Sequence, residues 1–356
     1  MAATTTKNPG FKEDQQEDAL LGKVAEWDAK CIPIEDLSYE KSSIRDVPIG
    51  EMPELPIGIF IKNKSSADGN GAEGDEISED FERLRTFTVH PDVGSGEFVN
   101  ALGKLESKGM RDAKKVVNAI SRFLAVGHEK CPPAIQTIGG MPLTEAARRY
   151  GNSAQRLIED MYLADVVTMM IGVRLAARGR DYYATMGCPV RNCKRTCKEQ
   201  CSMDVLKIRG FRELKHKPVI RVELPHGIPD GKGIVKKVYF SPLKFHQLDI
   251  FFKQNIQPRE MLEHVIVGIP ESRVYGIKAG NPFCEDLFRK LEKTGEDQRI
   301  LISALQKIKP GPDAQFKFSC DCGDEEVTYP LPWSLQPQEF LFFSNMHPDD
   351  SDDDDD

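Results

Sequence analysis

The sequence predicts an α+β protein built from two related lobes, and three observations predict it. A segment ending at Cys188 lies without gaps over a segment ending at Cys320. Each half opens with two strand-like runs and continues into helical periodicity. Six of the nine cysteines gather where the two halves end.

Length and composition bound the reading. The 356 residues suffice for two domains with an ample core, and 40% hydrophobic with 29% charged residues is ordinary for a soluble globular chain. The start, "MAATTTKNPGFKEDQQ", is polar, so no signal peptide is expected. No run of 18 apolar residues occurs, so no membrane span is expected. The net charge is −8, and the tail "DDSDDDDD" at 349–356 carries most of it. The remaining body is close to neutral, which argues against a general nucleic-acid binder.

Four segments follow in order. Residues 1–50 read as an N-terminal arm: an amphipathic piece, "EDALLGKVAEWDAK", then an irregular stretch laid along the body or a partner. Residues 51–210 form the first lobe. Its strand-like runs are "LPIGIFIKN" and "FERLRTFTV", joined by a long polar, Gly-rich connection. Residues 211–345 form the second lobe, with runs "PVIRVELP" and "GIVKKVYF" joined by the turn-rich "HGIPDGK". Residues 346–356 are expected to be a disordered, solubilising tail.

The repeat itself is "ADVVTMMIGVRLAARGRDYYATMGC" over "EDQRILISALQKIKPGPDAQFKFSC". Asp165 falls on Asp297, Gly179 on Gly311 and Asp181 on Asp313. Ile300, Leu301, Ala304, Leu305 and Ile308 show helical spacing; a glycine then ends the helix, and a short strand runs into the cysteine. Upstream, "FLAVG" at 123–127 resembles "HVIVG" at 264–268, and "GNSAQRLIE" at 151–159 resembles "GNPFCEDLF" at 280–288.

The first cysteine cluster runs Cys188-x4-Cys193-x3-Cys197-x3-Cys201. The second is Cys320-x-Cys322 followed by Gly323, a plausible knuckle because glycine lets backbone amides approach thiolates. A structural zinc ion takes four ligands, which two cysteines of the first cluster and this pair would supply. If 194–201 is helical, Cys197 and Cys201 share a face and either replace Cys193 or hold a second ion. A pseudo-twofold arrangement of the lobes would bring the knuckles together, so that one zinc staples the halves. Cys31, Cys131 and Cys284 stand singly in apolar contexts and read as core fillers.

With "MMIGVRLAARGRDYYATMGCP" (169–189) and "FSCDCGDEEVTYPLPWSLQPQEFLFF" (318–343), the arrangement resembles the baseplate hub and tail-assembly proteins of T-even-type contractile-tailed phages and related phage-like injection systems. The resemblance covers about residues 50–343 and departs from the family pattern in the first knuckle, where x4 stands for x2. It implies no catalytic activity, a role in baseplate architecture and assembly, and other baseplate or tail hub proteins as partners. It places the chain in the cytoplasm of the producing host cell and in the virion tail baseplate.

Other features read more plainly. "GIPDGKG" (227–233) lacks the phosphate-loop spacing and sits between strands, so it reads as a turn; the seven histidines form no metalloprotease motif. "CGDEEV" reads as a solvated strand edge rather than an acid/base pair. Arg191, Lys194, Arg195 and Lys198 offset the charge of a thiolate centre, or contact phosphate. The second option gives the alternative function, a zinc-ribbon nucleic-acid-binding protein. The aromatic end "PWSLQPQEFLFFSNM" either folds back on the core or docks on another subunit.

Overall fold

The computed structural model describes residues 30–62, 81–106, 112–187, 193, 196–230, 233–252, 266–268, 295–313, 315–319, 322, 326–330 and 337–343. The fold mixes helices with small sheets, as the α+β reading requires. The first strands are β1 (Ile32–Pro33), β2 (Tyr39–Ser43), β3 (Ile59–Lys62), β4 (Phe81–Leu84) and β5 (Phe87–Val89). Helices α1 (Gly96–Glu106) and α2 (Ala113–Ala125) follow, then β6 (Ile135–Ile138), β7 (Met141–Pro142) and helices α3 (Leu143–Tyr150), α4 (Ala154–Asp160) and α5 (Leu163–Arg178). Next come β8 (Asp181–Gly187), β9 (Thr196–Ser202), β10 (Lys207–Phe211), β11 (Ile220–Asp230), β12 (Gly233–Phe240) and β13 (Ile266–Gly268). Helix α6 (Gly295–Lys307), β14 (Gly311–Pro312), β15 (Gln315–Ser319) and β16 (Glu326–Pro330) complete the series, before a helical turn at Glu339–Phe343.

The chain divides into two compact units. The larger comprises Ser38–Lys215, Lys244–Gln254 and Pro310–Asp356; the smaller comprises Met1–Leu37, His216–Leu243 and Asn255–Lys309. This division differs from lobes at 51–210 and 211–345. The end of the second lobe, from residue 310, belongs with the first.

The larger unit holds one continuous apolar core. Helix α5 contributes Val166, Met169, Met170, Ile171 and Val173, and α2 contributes Val116, Ile120, Phe123 and Leu124. Asp112 caps α2 by accepting from the Lys114 N–H, Ser153 does the same for α4 through Arg156, and Gly151 closes α3 at φ 87°. The aromatic end folds back on this core: Phe340, Leu341 and Phe342 are buried, and Phe342 meets Phe123 edge-on. Each such side chain contributes about 1.5–3 kcal/mol by leaving water.

Among the described residues, the smaller unit holds a four-stranded sheet in the order β1-β11-β12-β13, with α6, whose Leu301 and Ala304 are buried, packed on β11. Among the described residues, no helix is long and apolar enough to cross a membrane.

Four sequence expectations need correction. Residues 31–50 are not an irregular arm: β1 pairs in parallel with β11 from Ile32↔Ile220, and β2 pairs antiparallel with β10 from Tyr39↔Phe211. The amphipathic piece lies outside the described residues. The β11–β12 hairpin has a shorter connection than "HGIPDGK", because β11 runs on to Asp230. "FLAVG" closes a helix whereas Ile266–Gly268 is a strand, so that equivalence does not hold. In the second aligned segment Gly311 does not end the helix: it opens β14, four residues past the last helical residue, Lys307.

Candidate functional site

Two two-stranded hairpins, β8–β9 and β15–β16, carry described cysteines. β8 pairs with β9 from Asp181↔Ser202 to Gly187↔Thr196, forming the first hairpin. β15 pairs with β16 from Gln315↔Pro330 to Ser319↔Glu326, forming the second. Both hairpins belong to the larger unit, although 112 residues, 203–314, lie between them. The chain comes back there because β14 pairs with β10 and packs on α5; a Cβ on Gly311 (φ 111°) would lie 2.9 Å from that of Ala164.

The hairpins sort the cysteines. Cys193 is half-buried against the core and Cys322 is exposed in its turn. Cys188 and Cys320 lie outside the described residues, as do Arg191, Lys194 and Arg195. Cys197 stands opposite Met186, one pair in from the turn, and Cys201 stands opposite Tyr182 near the base. Residues 196–202 are a strand, not a helix. Four strand residues span about 13 Å. Two thiolates on one zinc, each about 2.3 Å from it, cannot be so far apart. Cys197 and Cys201 therefore do not share an ion; Cys201 is buried against the apolar core. Among the described residues, no group of three or more His, Cys, Asp or Glu could hold a metal ion.

Away from the cysteines, the structure gives the aligned aspartates a role. Asp165, in the first turn of α5, is fully buried. Its carboxylate accepts the N–H of Ile57 at 2.8 Å and of Gly58 at 3.1 Å. These N–H groups belong to a bulge between Leu55, which bonds Arg85 O at 2.8 Å, and Ile59, which pairs with Leu84. Arg83 serves the bulge carbonyls, donating to Ile57 O at 2.7 Å and Pro56 O at 3.3 Å. The bulge main chain is thus paired by side chains, as buried backbone requires. Burial pushes the Asp165 carboxyl up to about 7, against the pull of the two N–H groups and of Arg83. Burial likewise lowers Arg83 to about 10, with Arg85 adding to it.

Asp297, in the first turn of α6, is also fully buried and accepts the N–H of His226 at 3.3 Å. His226 lies in Leu224-Pro-His-Gly-Ile228, and Ile57 in Leu55-Pro-Ile-Gly-Ile59. The glycines share a left-handed backbone, φ 83° at Gly58 and 74° at Gly227. The β11–β12 register also breaks here and resumes at Ile228↔Val235, as pairing starts at Ile59↔Leu84 in the first copy. Each unit therefore carries the same lock: a Leu-Pro-x-Gly-Ile bulge held by a buried helix aspartate.

The copies differ in strength. Ile234 occupies the register position of Arg83 and is 57% exposed. Asp297 Oδ2 has no hydrogen-bond partner among the described residues. His226 instead pairs with Glu296 at 2.7 Å on the surface. Asp297→Asn should accordingly cost less than about 1 kcal/mol, because its one oxygen still accepts the His226 N–H. Hydrogen exchange over 220–240 reads it, and a loss as large as that of Asp165→Asn would contradict the ranking.

The third element sits at the base of the first hairpin. Arg174, fully buried in α5, donates to Phe340 O at 3.0 Å, to Leu341 O at 3.4 Å and to Asp181 O at 2.6 Å. Its guanidinium lies 5.5 Å from the Tyr182 ring centroid, and burial lowers its pKa to about 10. In the sequence it is only a charge inside an apolar helical run.

No family model matches the chain, and neither the curated proteins nor the solved structures contain a match.

Proposed function

We propose that the chain is a non-enzymatic structural or assembly protein of a phage or phage-like contractile tail baseplate. It is built from two copies of one unit, with a structural zinc ion held by the turns of the two cysteine hairpins. The duplicated lock carries this reading: two aspartates at matched repeat positions hold the same five-residue bulge in separate units.

Physical arguments support the zinc. A two-stranded hairpin is marginally stable on its own. Here two of them, each carrying cysteines, return to one compact unit. Cys188, Cys193, Cys320 and Cys322 would hold the ion, with Cys197 the next thiol along the strand. Zinc there would supply folding free energy and no chemistry on a substrate. The partners are other baseplate or tail hub proteins, met in the cytoplasm of the producing cell and in the tail; no membrane, nucleic acid or small-molecule substrate is involved.

Elemental analysis of the purified chain should give about one zinc per molecule. Cys322→Ser should release it and loosen both hairpins, while Cys201→Ser should keep it. A metal-free wild type would sink the zinc assignment. A pull-down from the producing cell should bring tail hub or spike components. Salt-sensitive retention of nucleic acid in their place would favour the zinc-ribbon alternative.

A further inference from the structure

The C-terminal turn and the first cysteine hairpin meet at one side chain. Arg174 gives one arm of its guanidinium to the carbonyls of Phe340 and Leu341 and the other to that of Asp181. Asp181 and Tyr182 form the first two rungs of the β8–β9 ladder, opposite Ser202 and Cys201. The Phe340 ring packs on that of Tyr182 at 5.9 Å between centroids. Further along, the Gln338 N–H donates to Glu106 at 2.6 Å, and the Gln338 side chain donates to Val99 O at 3.0 Å. The turn is therefore seated by main-chain recognition at both ends and by buried aromatic rings between them.

We infer that the C-terminal turn is an internal plug whose seating orders the β8–β9 hairpin, with Arg174 as the positioning residue that couples the two. A buried guanidinium keeps its place only while its donors are satisfied. Withdrawal of the turn removes the Phe340 and Leu341 carbonyls and opens the cavity they filled to water. The guanidinium then turns to solvent and releases Asp181 O, and Tyr182 loses the tilted Phe340 ring packed against it. The hairpin has two strands, so losing the anchor at its first rungs leaves it marginal. Hairpin order thus answers to whatever takes up the C-terminal turn. The coupling acts at the hairpin base and does not depend on an ion at its tip.

Hydrogen exchange over residues 181–202 tests the coupling. Arg174→Met and a chain ending at residue 336 should each exchange there at least tenfold faster than wild type. A peptide of residues 337–346 added to the shortened chain should restore protection. Phe245→Leu, a core cavity elsewhere in the same unit, should leave the hairpin unchanged at a comparable loss of Tm. If the shortened chain does not fold, Arg174→Lys decides, since it keeps the charge but loses the forked geometry. Wild-type exchange in a folded Arg174 variant overturns the inference, as does equal acceleration by Phe245→Leu.

Discussion

Asp165→Ala should lower the stability of the larger unit by about 3–5 kcal/mol, because it leaves two buried N–H groups without an acceptor and Arg83 beside an empty site. Asp165→Asn should fall between, since one oxygen still accepts while the new amide N–H faces a backbone donor. The loss should vary with pH in a defined direction. Burial raises the Asp165 carboxyl from 3.8 to about 7. Between those values the folded chain binds a proton that the unfolded chain has released, so stability from this group falls as pH rises through the window. It is greatest below about pH 4 and levels off above about pH 7. The asparagine variant lacks the proton, so the gap between it and wild type should narrow from pH 4 to 7 in urea titrations. A gap that is constant across that range would mean that the carboxyl stays ionised in its pocket.

The positions that the alignment matched are structural, and the structure shows why they were legible. Asp165 and Asp297 must recur because each pairs a bulge that helix and strand leave without partners. The bulge was present in the sequence as Leu-Pro-Ile-Gly-Ile and Leu-Pro-His-Gly-Ile, but at different distances from its aspartate. A gap-free comparison cannot bring those segments together. The strands ending at Cys188 and Cys320 were read correctly, since alternation and turn residues are local signals. Thr196–Ser202 could not be assigned that way. A polar run with cysteines four apart fits either period, and only the pairing from Met186↔Cys197 to Tyr182↔Cys201 makes it a strand. The return of residues 310–343 to the first lobe is a tertiary event. It depends on Gly311 against Ala164 and on the Arg174 carbonyl contacts, neither of which has a local pattern.

Gly58→Ala should cost about 3 kcal/mol, close to the effect of losing the aspartate, and for a separate reason. The residue sits at φ 83°, where a side chain is strained, and an added Cβ would stand 2.6 Å from Leu84 O. That oxygen belongs to the strand paired with β3, so relief requires the bulge to move away and lengthens both Asp165 bonds. The two changes break one lock, and Gly58→Ala with Asp165→Asn should therefore cost clearly less than the sum of the single losses. Gly227→Ala acts in the other unit and should loosen residues 220–240 alone. Combined with Gly58→Ala, its effect should add within about 0.5 kcal/mol, as sites that share no partners do. Coupling across the units with additivity inside the first lock would mean that the two bulges are not independent copies of one device.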